Sequence, residues 1–137
     1  MHISLYPSLL ALQDQPSSWN TRILELSVAV SGIHYDIGDG EFIPSLMLSP
    51  DDIGLVEVQY FEPKAEDILP LRKELPIDVH LMVRKPSTYF EKIFSFPSVS
   101  AVAFHVECGE DIHGLIQKIR NWGSGNSEDE KQTNIKV

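Results

Sequence analysis

The sequence predicts an α/β fold built on a parallel sheet. Short β-branched or aromatic segments alternate with helical patterns in the order βαβαβαβα, and the last such segment, Val99–Val106, is almost continuously apolar. Alternation of this kind calls for right-handed crossovers, which place the strands parallel. An unbroken apolar run suits a strand buried on both faces. The chain has 137 residues, 42% of them hydrophobic, enough for one domain with a substantial core.

Taken in order, His2–Tyr6 reads as the first strand. Trp19–Val30 follows as a helix carrying Ile23, Leu24, Leu26 and Val30, with Ser17 and Ser18 as N-cap candidates. Gly32–Asp36 is the second strand. Asp51–Pro63 contains LVEVQYFE, an inserted strand candidate, ahead of a helix over Ala65–Leu75. Ile77–Val83 is the third strand, and Ser87–Phe94 is a helix opened by Pro86, with Tyr89, Phe90, Ile93 and Phe94 in one stripe. After Val99–Val106, Asp111–Trp122 carries Ile112, Leu115, Ile116 and Ile119, and Gly123 is placed for a left-handed helix stop. Ser124–Asn134 is polar and aperiodic and reads as a mobile loop, while Ile135–Val137 opens a fifth strand.

Charge narrows the partners. Twenty acidic residues against 11 basic ones give a net charge of −9, which argues against nucleic-acid and anionic membrane surfaces. No apolar run approaches the ~18–20 residues of a transmembrane helix. The opening MHISLYPSLLALQDQP has no basic region and does not read as a signal peptide. Cys108 is the only cysteine, so neither an intrachain disulfide nor a cysteine-rich zinc site is available. The expectation is a cytoplasmic protein.

In parallel α/β architectures, chemistry gathers at the C-terminal ends of strands. Those ends offer Ser8 on the first strand, His34 and Asp36 on the second, His80 on the third, and His105 and Glu107 on the fourth. His34 and Asp36 are two apart and share one face of their strand, and His80 sits at a similar depth on the next. Two imidazoles and a carboxylate suit Zn²⁺ or another transition metal. Against this stands the ordinary structural role of a strand histidine. Ser8 is equally a turn cap, Met47 and Met82 are equally core, and His2 and His113 read as structural or exposed. Glu128-Asp129-Glu130 reads as a solvated run.

Longer motifs are more specific. HYDIGDGEFIPSLMLSP (His34–Pro50) resembles the first signature of the ribulose-phosphate 3-epimerase family, H-x-D-x-M-D-G-x-F-V-P-N, and LPIDVHLMVRKPSTYFEKI (Leu75–Ile93) resembles the second. YPSLL (Tyr6–Leu10) is similar to the family's opening strand end and AFHVE (Ala103–Glu107) to its fourth strand. The resemblance implies a (β/α)₈ TIM barrel and a metal-dependent isomerase of pentose phosphate metabolism that interconverts D-ribulose 5-phosphate and D-xylulose 5-phosphate; related members act on allulose 6-phosphate. It implies one divalent ion (Zn, Fe, Mn or Co) on His34, Asp36 and His80. Asp36 would also be one of two acid/base carboxylates. Ser8, His34, His80 and Met82 would line the sugar-phosphate site.

The departures from the family pattern are equally specific. Gly38 stands where the family has methionine, which removes a side chain that would cap the pocket, and Ser45 where it has asparagine. The stretch from Pro50 to Pro76 is longer than usual. The family's V-D-G-G aspartate, fourth ligand and second acid/base, has no counterpart here, nor do the phosphate loops. The resemblance therefore reads residues 1–123 as the N-terminal half of a barrel, with the first four to five βα units present, 124–134 as an acidic loop and 135–137 as the start of a fifth strand. It predicts a chain inactive alone, forming a homo-oligomer or joined by a complementing C-terminal half. The alternative is a non-catalytic half-barrel that binds metal or a partner. A related decarboxylase is disfavoured, since Asp36-Ile37-Gly38-Asp39 lacks the lysine of D-x-K-x-x-D.

Overall fold

The computed structural model describes residues 3–26, 29–45, 47–56 and 75–125. Three strands, β1 (Ile33–Gly38), β2 (Ile77–Met82) and β3 (Val99–Phe104), form a parallel sheet in the order β1-β2-β3. Helices α1 (Trp19–Leu26), α2 (Phe90–Ile93) and α3 (Ile112–Gly125) connect or follow them. Short 3₁₀ turns precede α1 at Leu9–Leu12 and Pro16–Ser18, and another occupies Pro50–Leu55.

The sheet has two unlike faces, because strand side chains alternate. Ile33, Tyr35 and Ile37 from β1 and Ile77, Val79 and Leu81 from β2 are all at most 1% exposed. They form the core with Trp19 and Ile23 of α1, Phe90 and Ile93 of α2, and Leu115 and Ile119 of α3. The other face carries His34, Asp36 and Gly38 of β1, opposite Asp78, His80 and Met82 of β2 in direct register. A one-residue irregularity after Ile77 shifts β3 so that Ala101 and Ala103 lie opposite Asp78 and His80.

Helix ends follow from local chemistry. Asp111 accepts the backbone N–H groups of His113 and Gly114 at 3.2 and 3.1 Å and so caps α3. Gly109 adopts φ 86° at the turn just before it. Cys108 is buried at the same junction.

Several expectations are corrected. His2–Tyr6 does not form a strand over its described residues, 3–6: Leu5 exchanges Ser31 N–H to Leu5 O and Leu5 N–H to Ser31 Oγ ahead of β1, and Pro7 and Ser8 meet β1 through His34 N–H to Pro7 O and a Ser8–His34 bridge. Pro7 has no N–H to extend the ladder, and Ile3, Leu5 and Tyr6 are 71, 55 and 40% exposed, so packing does not hold the segment flat. Ser18 does not cap α1: its hydroxyl donates to Gln15 O at 2.8 Å, because the Pro16–Ser18 turn runs straight into the helix. The described helix is Trp19–Leu26, shorter than Trp19–Val30. β3 is buried on one face only, with Ala103 exposed. α3 passes through Gly123 to Gly125 rather than stopping there. Leu55 and Val56 close a 3₁₀ helix, and the rest of LVEVQYFE lies outside the described residues, as do most of Ala65–Leu75, residues 126–134 and Ile135–Val137. No helix among the described residues is long and apolar enough to cross a membrane.

Candidate metal centre

The polar face of the sheet converges on one carboxylate. Asp36, 7% exposed, is one of two buried polar residues among those described. Its Oδ1 lies 3.1 Å from His34 Nε2 and 3.1 Å from His80 Nδ1. Its Oδ2 accepts the Ser8 hydroxyl at 2.6 Å. Ser8 Oγ in turn accepts the Leu10 N–H at 3.2 Å and caps the Leu9–Leu12 turn, so the capping and site roles coexist in one side chain.

The strand geometry explains the convergence. Asp36 and His80 are register partners, so His80 reaches Asp36 with its near ring nitrogen. His34 stands two residues back on β1 and reaches with its far one. Ligand atoms of His34, Asp36 and His80 all lie within 4.8 Å of one another. The three sequence-predicted donors are thus brought together.

Other candidates fall into place around them. His105, just past β3, puts Nε2 at 3.0 Å from His80 Nε2, on the side of the ring away from Asp36, and its ring packs on Phe42 at 5.1 Å between centroids. Glu107 is exposed and stands outside the donor group. Met82 is half-buried two residues beyond His80 on the same face. His113 is exposed on α3 and bonds Gln117 at 2.9 Å, and His2 lies outside the described residues. Met47 packs as structure: a Cβ added at Gly38 would come within 3.0 Å of Met47 Cγ and Ser45 O and 3.2 Å of Ile43 Cδ1. The space next to Gly38 is therefore filled by the following loop.

That loop is tied down by Asp39. Its carboxylate accepts the N–H groups of Glu41 and Phe42, both at 2.8 Å, and of Arg84 at 2.6 Å, joining the ends of β1 and β2. Desolvation pushes the carboxyl up, but the N–H groups of Phe42, Arg84 and Glu41 outweigh it and hold it below the usual carboxylate value. One residue of the site was missed from sequence. Asp78 stands beside His34 across the β1–β2 ladder, with Oδ2 3.3 Å from His34 Nδ1. Its spacing from His80, two residues on one strand, was the available signal.

The chain matches the model of the ribulose-phosphate 3 epimerase family over residues 4–127. It belongs to that family. Curated relatives agree: the ribulose-phosphate 3-epimerases of Aquifex aeolicus (strain VF5) and Bacillus subtilis (strain 168) are 28% and 30% identical over 67% and 66% of the chain. That of Rhodobacter capsulatus is 26% identical over 88% of it. The matches span only 35, 36 and 46% of these relatives' own lengths. Family membership implies a TIM barrel, and the described residues form an α/β unit with a three-stranded parallel sheet.

The donor set fits the divalent ion expected of this family. Both ring nitrogens of His34 face carboxylate oxygens, yet a neutral imidazole has one N–H. The second nitrogen can face Asp36 favourably only across a cation, either a proton or a metal. Two imidazole nitrogens and a carboxylate oxygen within 4.8 Å of one another are donor types that Zn²⁺ and other first-row divalent ions take.

Proposed function

We propose that this chain supplies one half of the chemistry of epimerisation at C3 of a ketose phosphate, D-ribulose 5-phosphate to D-xylulose 5-phosphate, with one divalent ion (Zn, Fe, Mn or Co) held by His34, Asp36 and His80. The convergence of these three donors on one face of adjacent parallel strands carries the reading. A bound ion would polarise the ketone and lower the cost of removing the weakly acidic proton beside it. Asp36 is the proton carrier on one face of the sugar: Oδ2 takes the C3 proton of one epimer, another group delivers a proton to the opposite face, and in the reverse direction the two exchange roles. Ser8, which donates to that oxygen, orients the carboxylate and is in place to turn its hydroxyl to the substrate. Met82 forms an apolar wall on the same face, and Ala101 and Ala103 keep the floor beside His80 low.

Inversion needs a second proton carrier on the opposite face of the intermediate. Among the described residues, no second carboxylate joins the three-donor group; Asp78 lies against the other nitrogen of His34. We therefore assign that group, together with the phosphate contacts, to residues outside those described or to a partner chain. This half-barrel reading treats residues 3–125 as the first βα units of the family's barrel. It supports the second reading as well, a module that holds a metal without turnover.

Metal analysis of purified chain separates the outcomes. One equivalent of Zn²⁺ or Mn²⁺ is expected, and Asp36→Asn should weaken binding by more than the ~10–100-fold typical of an outer partner. In a coupled assay the chain alone should turn over D-ribulose 5-phosphate far more slowly than a full-length relative. Absence of metal binding would refute the centre, and near-normal turnover by this chain alone would refute the division of roles. Metal binding with no turnover, even after a C-terminal half is supplied, selects the second reading.

A further inference from the structure

We propose that Asp78 and His105 are positioning residues that fix opposite ring tautomers on His34 and His80, so that one ring presents Nε2 and the other Nδ1 to the ion. The inference rests on the metal reading above and deepens it. It starts from the ladder. His80 lies directly across from Asp36 and faces it with Nδ1, whereas His34 lies across from Asp78 and faces Asp36 with Nε2. Each ring then has one nitrogen pointing away from the site, and each of those nitrogens has its own partner.

For His34 the partner is Asp78 Oδ2, 3.3 Å from Nδ1. An ionised carboxylate only accepts, so with the ion at Nε2 the single imidazole proton sits on Nδ1, against Asp78. That leaves the Nε2 lone pair free on the side of Asp36. For His80 the partner is His105 Nε2, 3.0 Å from Nε2. Two facing imidazole nitrogens hold one proton between them. With the proton on His80 and the bare nitrogen on His105, the His80 Nδ1 lone pair is free at Asp36. Phe42 packs on the His105 ring and keeps it in that pose. Asp36 completes the pattern, with Oδ1 toward both rings and Oδ2 held by Ser8. Outer partners of this kind fix ring orientation and raise ligand basicity, and their loss typically lowers metal affinity ~10–100-fold.

The test uses the 137-residue chain with Co²⁺ as a coloured probe and Zn²⁺ for magnetic resonance. Titration of Co²⁺, followed by its visible absorption, should show ~10–100-fold weaker binding in Asp78→Leu and in His105→Phe. Asp78→Asn and His105→Gln, which keep an acceptor oxygen, should recover most of it. His105→Phe preserves a ring against Phe42, so its loss reports the hydrogen bond and not the packing. Long-range ¹H–¹⁵N spectra of the Zn²⁺-bound chain should show His34 protonated at Nδ1 and His80 at Nε2. Wild-type affinity in the Leu and Phe variants, equal losses in the Gln and Phe variants, or the reverse tautomers would each overturn the proposal while leaving the metal centre standing. Failure of the wild-type chain to bind Co²⁺ or Zn²⁺ would overturn both.

Discussion

Tyr35 shows how one side chain joins the core to the loop that follows β1. Its ring is fully buried, edge-on to Trp19 at 6.1 Å between centroids. Its hydroxyl donates to Ser49 O at 2.7 Å. Burial, and then the charges of Asp52 and Asp51, hold the phenol well above the usual tyrosine range. The sign follows from linkage: the unfolded chain releases this proton near pH 10 and the folded chain later, so stability is intact below pH ~10 and falls as pH rises above it. Tyr89 is also raised, by burial and then by Asp39 and Glu41, and acts in the same direction. Tyr35→Phe should cost about 0.5–1.5 kcal/mol near neutral pH by removing one of the two hydrogen bonds that Ser49 O accepts, the Asp52 N–H at 3.1 Å remaining. It should also flatten, without abolishing, the alkaline loss of stability. Urea melts at pH 7 and above pH 10 measure both, and an unchanged alkaline slope would exclude Tyr35 as its main source.

Between elements, the decisive residue is Gly32. A Cβ there would fall 2.3 Å from Tyr6 Cε1 and 2.5 Å from Pro76 O. Tyr6 can turn away, but Pro76 O accepts the Ile33 N–H at 2.9 Å and belongs to the lead-in of β2. Gly32→Ala should therefore destabilise the chain by about 1–3 kcal/mol through overpacking. It should also release the 3–8 segment, read as faster hydrogen exchange at Ser31 and His34, whose N–H groups bond Leu5 O and Pro7 O. Unchanged exchange at both would show that the segment docks independently of this gap. The same elements show how much the sequence reveals. β2 and α3 were legible from apolar periodicity, and His34, Asp36 and His80 from strand alternation combined with a family motif. The first strand was not, since its alternating pattern says nothing of whether neighbours cover it. Asp78 was not, since its link to His34 arises only when two strands 44 residues apart align.

At the level of the whole molecule, one side of the sheet is core and the other is site. Only helices on the apolar side cover it among the described residues, and β3 pairs with β2 alone. Among the described residues its outer edge has no strand partner, and Val106, two residues beyond the strand, is 71% exposed. Self-association or pairing with a complementing fragment is the expected outcome. Size-exclusion chromatography with light scattering should give a concentration-dependent mass above 15.4 kDa, whereas a monomer at all concentrations would contradict it. The net charge of −9 opposes close approach of two copies, so added salt should favour association. The separation of Asp36 and His80 along the chain, 44 residues, also sets a timetable. Their meeting closes a long loop, an event that belongs late in folding. A cation that needs both side chains would not recruit the early chain; bound as proposed, it would act on the finished sheet as a latch, slowing unfolding and leaving the folding rate nearly untouched.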